Sequence, residues 1–426
     1  MKLLTDLTPL REDPAFRRLW IGSTLSQAGG SMTSFAVTLQ VYDATHSTAA
    51  TGAIGLVTLI PMLLIALPGG SLADTVDRRK LVLAMTGCST AVSGLLAVQA
   101  LLGLDTRANW LWLVYALVAL SSAIGAVNAP ARQAFIPALV SRDQIPAAMA
   151  LNRISFQTVL IGGPALAGVV TGAAGLKGCY LLDVISFAGA FYGVGRMPAI
   201  APAAKTRTGR SHLALTGEGL AYIWRNRVLA GAFLADVNAT FFAYPASLFP
   251  AINALRFGGD PRTLGLFTAA IGVGGMVTAT FSGPVAHASR QGLAMLVSVS
   301  VWGLSFAVFA VAPSLWLTLL ALGAAGAADS FTVVCRGIIV QRGTPEKFRG
   351  RVNAADWVVG AGGAQLGSLE SGVLGAVTSA EASAFIGGVL TIVGAAAIAA
   401  GLPAFRRYRD EPACAEADQA RSAAAM

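Results

Sequence analysis

The sequence predicts an all-α membrane protein with twelve transmembrane helices. Of its 426 residues, 55% are hydrophobic and only 12% are charged, with a mean hydropathy of +0.66. Such a chain is too apolar to be covered by its charged residues as a soluble globule. The apolar residues gather into twelve segments, each close to the roughly 20 residues that cross the hydrocarbon as a helix. Ten-residue strands of alternating polarity, typical of a membrane barrel, do not occur.

The first six segments are joined by short connections. The first is too long for the apolar core of a signal peptide and lacks an evident small-residue cleavage site directly after it, so we expect it to remain as helix 1. In order, the segments run Phe16 to Tyr42, Thr48 to Ala73, Leu81 to Leu104, Asn109 to Ala131, Pro146 to Thr171 and Cys179 to Arg196.

Six further segments follow a polar, basic stretch, which we interpret as a cytoplasmic linker. They run Val228 to Ile252, Leu264 to Ala286, Gly292 to Val311, Ser314 to Val340, Val352 to Val377 and Ala382 to Ala404. We therefore predict an N-terminal six-helix bundle (1–196), a linker (197–225), a C-terminal six-helix bundle (226–405) and a cytoplasmic tail (406–426).

The two halves read as a parallel duplication. A shift of 213 residues, half of 426, pairs Gly52 with Gly265 and Gly70 with Gly283. A second correspondence joins the stretches 132–152 and 336–353, both between a fourth and a fifth helix. Repeats of this kind predict two six-helix halves that rock about a site near the bilayer midplane.

Positive charge sets the predicted orientation. With both termini cytoplasmic, all of the 30 Lys and Arg residues lie on the inner side or at inner helix ends except Arg107, Lys177, Arg256 and Arg262. We expect a multi-pass protein of the inner, cytoplasmic membrane. The net charge of +9 follows from this orientation, and no aromatic-interleaved basic face predicts a nucleic-acid partner.

Composition argues against an enzyme and against a bound cofactor. The four cysteines lie far apart with no nearby histidine cluster, so neither a disulfide framework nor a metal site is expected. Only three histidines occur, and no catalytic constellation is evident. Because the chain contains no phosphate-binding loop, ATP does not drive it directly.

The run from Gly70 to Lys80 places five charges between two apolar segments. Its pattern resembles the signature loop between helices 2 and 3 of the major facilitator superfamily, with Thr75 and Asp77 departing from the pattern. The resemblance implies that this loop locks one conformational state. Membrane-surface anchoring is the alternative, and we favour gating because anchoring alone needs no carboxylate at Asp74. The predicted gating residues are Gly70, Asp74, Asp77, Arg78 and Arg79.

Three stretches narrow the resemblance to the exporter branch that includes the enterobactin exporter and the Tap-type multidrug pumps. They are Asp13 to Gly22, Asn128 to Pro137 and Gly163 to Gly168. The last, with Gly163, Pro164 and Gly168, is similar to the antiporter motif of drug and proton exchangers and predicts close helix packing. Residues 113–126 lack the arginine that helix 4 of many drug antiporters carries, so the usual proton relay is not expected.

Ionisable residues at bilayer depth are functional candidates, because burying them is costly. Asp236, Asp329 and Glu370 are the deepest, and Asp183 and Asp356 are shallower. The resemblance places helices 1, 4, 7 and 10 around a central cavity and therefore Asp236 and Asp329 within it. A hydrogen-bonded structural carboxylate is the alternative for each, and for Asp183 we favour it.

Helix 1 carries a polar stripe at Ser23, Gln27, Ser31, Ser34 and Thr38, whose spacings place all five on one helical face. The stripe either faces water and substrate or forms interhelical hydrogen bonds. The predicted residues of the substrate cavity and of proton coupling are Gln27, Ser31, Ser34, Asn128, Arg153, Gln157, Asp236, Tyr244, Asp329 and Glu370.

Together these features predict a secondary transporter that exports a small amphipathic compound, siderophore-like or drug-like, by alternating access with proton antiport. Its expected partners are the substrate, protons and the lipid bilayer, and we expect a monomer. Uptake or uncoupled transport by the same fold remains open. So does a transporter-like sensor or scaffold that moves no solute.

Overall fold

The computed structural model describes residues 6–75, 77–133, 135–197, 212–280 and 290–409, except for the side chains of 66–75, 212–216, 279–280 and 347. Over these ranges the chain is helical and forms no strand, which confirms the predicted fold class. The twelve long helices are α1 (Pro14–Thr45), α2 (Thr48–Thr75), α3 (Arg78–Leu101), α4 (Leu111–Gln133), α5 (Ile145–Ala174), α6 (Leu176–Gly195), α7 (Arg227–Phe242), α8 (Pro261–Thr280), α9 (Gln291–Val311), α10 (Leu315–Gly343), α11 (Glu346–Val377) and α12 (Ala380–Gly401).

Within the described ranges, nine of these helices form spans that are long and apolar enough to cross a membrane by length and composition alone. The other three are α1, α8 and α11. Helix α1 carries the polar stripe, α8 begins with Pro261-Arg262 and is rich in glycine, and α11 begins with a charged stretch. The predicted segments for α8 and α11 begin later, at Leu264 and Val352, and so exclude these charged residues.

The helices group into two compact units. The first holds the described residues up to Met197 together with Asn253–Ala269, and the second holds those from His212 to Ile252 and from Ala270 onward. Inside the first unit α1 packs on α5 and α6, and α3 packs on α4 and α6. Inside the second, α7 packs on α11 and α12, and α9 packs on α10 and α12. The same packing among five helices thus recurs in each unit, with α7, α9, α10, α11 and α12 in the places of α1, α3, α4, α5 and α6.

Small residues bring α1 and α6 into close contact. A Cβ placed on Gly22 would lie 2.4 Å from the carbonyl oxygen of Gly189, so the two backbones touch. Further along the same interface, the buried Asp183 carboxylate accepts hydrogen bonds from Thr33 (2.8 Å) and Ser93 (2.7 Å). Asp183 therefore joins α1, α3 and α6 as a satisfied structural carboxylate.

The predicted continuous helix from Val228 to Ile252 is wrong, because the chain breaks after Phe242. A 3-10 turn at Pro245–Leu248 and a short helix at Phe249–Phe257 complete this span. Proline has no N–H to donate and disfavours helical geometry at the residue before it, so Pro245 ends α7 near Tyr244. The indole N–H of Trp302 donates to the freed carbonyl of Ala243 at 2.8 Å.

The sequence between the two bundles contains a further helix, His212–Arg225, which we call the linker helix. Its Tyr222 ring stacks on Phe348 at the start of α11, with ring centroids 4.6 Å apart. Its Glu218 carboxylate lies 2.7 Å from the guanidinium of Arg351. Directly after it, the Asn226 side chain accepts hydrogen bonds from the first amides of α7 and caps that helix.

Candidate functional site

An ion-pair cluster of Asp236, Arg336 and Asp356 lies inside the second unit. The Arg336 guanidinium donates to Oδ2 of Asp236 on α7, and its Nη1 is 3.5 Å from Oδ1 of Asp356 on α11. The side chains of Arg336 and Asp236 are only 12% and 7% exposed, whereas that of Asp356 is 32% exposed. The cluster therefore joins three helices through two carboxylates and one cation.

Glycines on α11 allow α7 to approach closely enough for this cluster to form. A Cβ on Gly363 would lie 2.4 Å from Oγ1 of Thr240, and one on Gly367 would lie 2.0 Å from the Thr240 carbonyl oxygen. A Cβ on Gly360, one turn after Asp356, would lie 3.8 Å from the Arg336 guanidinium nitrogens. Larger side chains at Gly363 and Gly367 would push α11 away from α7.

Asp329 lies two helical turns before Arg336 on α10, on the same face and about 10 Å along the axis. It is exposed and interacts electrostatically with Asp236 and Arg336, and Tyr244 interacts electrostatically with it. Tyr244 occupies the break after α7, where its carbonyl accepts a hydrogen bond from Ser371 on α11 at 3.2 Å. Asp329 thus interacts electrostatically with two other predicted residues, Asp236 and Tyr244.

Glu370 lies on α11, fourteen residues after Asp356, which places the two on nearly the same helix face about 21 Å apart along the axis. Its Oε2 atom is buried and has no hydrogen-bond partner within the described part of the chain. On α7, the side-chain amide of Asn238 donates to the Thr391 carbonyl on α12 at 2.9 Å.

Arg336 and Asp356 are the members of the cluster that the predicted site did not include. Asp329 and Arg336 are seven residues apart, which places both on one face of α10 but too far apart along the axis to pair directly. The sequence did contain a signal for the cluster, namely Arg336 itself, because an arginine inside an apolar helix requires an acidic partner. Its counter-charges come from α7 and α11.

The polar stripe of α1 lies in the first unit and is largely bonded to its own helix. Gln27 donates to the Ser23 carbonyl at 3.1 Å, and Ser34 donates to the Gly30 carbonyl at 3.0 Å. Ser31 packs against α5, where a Cβ on Gly163 would lie 2.4 Å from its Oγ. These bonds within α1 leave acceptor capacity on the hydroxyls.

The other predicted residues of the first unit lie on α4 and α5. Arg153 is exposed and its guanidinium lies 5.8 Å from the ring of Phe156 on the same helix, and Gln157 is half-buried. On α4, Asn128 is half-buried, and its Oδ1 atom has no hydrogen-bond partner among the described residues. One turn later, Arg132 reaches α1 by donating to the Ser26 hydroxyl at 3.0 Å.

Part of the predicted gating loop lies outside the described side chains, namely Gly70 and Asp74. Asp77 caps the N-terminus of α3 by accepting from the Arg79 amide at 2.9 Å. The Arg79 guanidinium donates to the Gly195 carbonyl at the end of α6. The described part of the loop therefore fastens α3 to α6.

The antiporter-like motif of α5 packs on two other helices of the first unit. Gly163 contacts α1 as described above. A Cβ on Gly168 would lie 2.5 Å from the Pro261 carbonyl oxygen, and one on Gly265 would lie 2.6 Å from the Pro164 carbonyl oxygen. The motif therefore brings α5 and the start of α8 into backbone contact, as expected for glycines at a helix crossing.

A cavity of about 690 Å³ lies between α8, α9 and α10. Its walls are mainly apolar and include Arg290, and none of the predicted site residues whose side chains are described lines it. Exposed side chains such as Val297 and Val301 show that it opens on an apolar surface. The cavity is therefore distinct from the ion-pair cluster.

Sequence comparisons find full-length similarity to transport proteins. A family model described as "transmembrane secretion effector" matches residues 4–419. The enterobactin exporter EntS of Citrobacter koseri is 27% identical over 410 residues, which cover 96% of this chain and 97% of that protein. EntS of Salmonella typhi is also 27% identical, over 420 residues, with 97% and 98% covered.

Structural comparisons find the same fold at low sequence identity. An inward-facing bacterial homologue of the iron transporter ferroportin superposes with a TM-score of 0.70 at 14% identity, covering 91% of this chain and 98% of that one. A POT family transporter in complex with 5-aminolevulinic acid gives a TM-score of 0.72 at 12% identity, covering 92% and 97%. At these identities the likeness establishes the fold.

Proposed function

This chain belongs to the transmembrane secretion effector family of major facilitator transporters, as its motifs predicted, and on that premise we propose that it exports a siderophore-like compound by proton-coupled antiport. It is a multi-pass membrane transporter. The near full-length similarity to enterobactin exporters supports export and an enterobactin-like substrate. Proton coupling is supported by the chain's own ionisable residues.

The ion-pair cluster is the observation that carries the proposal of coupling. Its two carboxylates and one cation give it a net charge of −1, so a proton taken up by Asp236 or Asp356 neutralises it. Protonation of Asp236 removes the partner that holds Arg336 to α7, because a neutral carboxyl no longer forms an ion pair. A proton can thereby change the contact between α7 and α10, which is what coupled transport requires.

Asp329 and Glu370 are the proposed entry and transfer groups for the proton. Asp329 is exposed beside the cluster, and the Oε2 atom of Glu370 has no partner among the described residues. Neither carboxylate is held in an ion pair among the described residues, so protonation of either one breaks no salt bridge. We propose that both termini are cytoplasmic, as the charge distribution predicts. In this orientation the proton moves inward and the substrate moves outward.

Export is tested by expressing the chain in a bacterial strain that lacks its own enterobactin exporter and measuring enterobactin in the medium. We expect the chain to restore secretion and the Arg336→Gln variant, matched for membrane expression, to fail. Restored secretion by both proteins would contradict a role for the cluster. No secretion by either would contradict the proposed substrate.

Coupling is tested in inside-out vesicles, in which an exporter accumulates substrate when the lumen is acidified. We expect accumulation of enterobactin to collapse with a protonophore and to fall in the Glu370→Gln variant. Glu346→Gln is the matched control, because Glu346 lies on the same helix with a side chain that is 89% exposed. Accumulation that survives loss of the pH gradient would identify uncoupled transport and refute antiport.

A further inference from the structure

The guanidinium of Arg132 in the first unit is only partly satisfied. One nitrogen donates to Ser26, whereas Nε and the second terminal nitrogen are buried and have no hydrogen-bond partner among the described residues. An arginine remains charged at any physiological pH and carries five N–H donors. Leaving such donors buried and unpaired is costly, so a missing acceptor is expected here.

A complementary group lies one turn earlier on the same helix face. The Oδ1 atom of Asn128 is also buried without a partner in the described part of the chain, and it is an acceptor. Residues four apart on a helix lie about 6 Å from each other. The unused donors of Arg132 and the unused acceptor of Asn128 thus lie on one face of α4.

We propose that Arg132 and Asn128 form a binding subsite for an anionic oxygen group of the substrate, with Arg132 taking the anion and Asn128 accepting from a neighbouring hydroxyl. This inference rests on the proposed function, because it specifies the chemistry of the transported compound. A carboxylate is an acceptor that matches the paired N–H donors of a guanidinium. A hydroxyl about 6 Å from the anion matches the separation along the helix.

The experiment measures equilibrium binding of three small aromatic probes to the purified full-length protein in nanodiscs. The probes are 4-hydroxybenzoate, benzoate, which lacks the hydroxyl, and 4-hydroxybenzamide, which lacks the charge. We expect Arg132→Gln to weaken both acids about 10- to 100-fold and to leave the amide unchanged, as expected for a lost charge-assisted hydrogen bond. Asn128→Ala should weaken 4-hydroxybenzoate to the affinity of benzoate and leave benzoate unchanged.

Two further variants separate recognition from folding. Arg132→Lys keeps the positive charge but loses the planar pair of N–H donors of the guanidinium, so it should retain part of the affinity for the two acids. Arg142→Gln removes an exposed cation from the connection that follows α4 and should bind all three probes like the unaltered protein. Equal weakening of the acids and the amide in Arg132→Gln would overturn the subsite, as would acid binding that is independent of Arg132 or absent from the unaltered protein.

The proposed function fails separately from this subsite. If the chain restores enterobactin secretion but Arg132→Gln binds both acids like the unaltered protein, the subsite is refuted and export stands. If acids bind through Arg132 but no enterobactin is secreted, the subsite stands and the proposed substrate is refuted.

Discussion

Removing Arg336 should destabilise the second unit more than removing either of its partners. The cluster carries a net charge of −1 with all three groups ionised. Arg336→Gln changes this to −2 and leaves two carboxylates facing each other without a cation. Asp236→Asn changes it to 0 and leaves Arg336 paired with Asp356. The net charge of the cluster therefore predicts that the Arg336→Gln protein is less stable than the Asp236→Asn protein.

The expected losses in the free energy of unfolding follow from how deeply each side chain is buried. Breaking a buried ion pair by removing one partner costs roughly 3–5 kcal/mol, and the side chains of Arg336 and Asp236 are 12% and 7% exposed. We assign this range to Arg336→Gln. Asp236→Asn should cost about 1–3 kcal/mol, because a polar isostere remains and Arg336 keeps one anion. Asp356→Asn should cost at most about 1 kcal/mol, since its contact is long and a third of the side chain is exposed.

Thermal unfolding of the purified protein in one detergent, followed by tryptophan fluorescence, checks this order. For a unit of this size 1 kcal/mol corresponds to about 2–4 °C, so Arg336→Gln should lower Tm by roughly 6–20 °C. The double variant, Asp236→Asn with Arg336→Gln, should be more stable than the sum of its single changes predicts. Additive losses, or an Arg336→Gln protein as stable as Asp236→Asn, would refute the cluster.

Three further changes test the first unit by the same unfolding assay. Gly168→Ala should lower Tm and impair export, because its Cβ would meet the Pro261 carbonyl at 2.5 Å, whereas Gly162→Ala on the same helix, with open space around it, should be neutral or slightly stabilising. Equal behaviour of these two variants would contradict the α5–α8 contact. Asp77→Ala should cost about 1 kcal/mol through loss of the α3 cap. Asp183→Ala should cost about 1–3 kcal/mol by leaving its hydroxyl donors without an acceptor, and an unchanged Tm would contradict its structural role.

The helices could be predicted from the sequence because the signal is local. A segment of about 20 apolar residues has few alternatives to a helix in lipid, where every backbone group must be bonded internally. The break in α7 was missed although its signal was present. Tyr244-Pro245 occurs inside the predicted segment, and a proline at this position both lacks a donor and restricts its predecessor.

The site was less predictable because its contacts join separate helices. Helical spacing places Asp329 and Arg336 on one face, but it does not show which helix packs against that face. The pairing of Arg336 with Asp236 and Asp356 depends on α7 and α11 approaching through glycine contacts such as that at Gly363. A glycine count along α11 would have indicated a close approach without naming the partner.

The linker helix is joined to both helices that carry the carboxylates of the ion-pair cluster. Through Asn226 it leads directly into α7, which carries Asp236, and through Arg351 it is fastened to α11, which carries Asp356 five residues later. A Cβ on Gly219 would lie 2.3 Å from the Arg351 carbonyl oxygen, so the linker helix and α11 are in backbone contact. Any displacement of α7 from α11 at the cluster must therefore also shear this contact or bend α7 beyond its cap. Where α7 stays straight, the energy of separating the charged groups and the energy of releasing the linker helix add in the same movement.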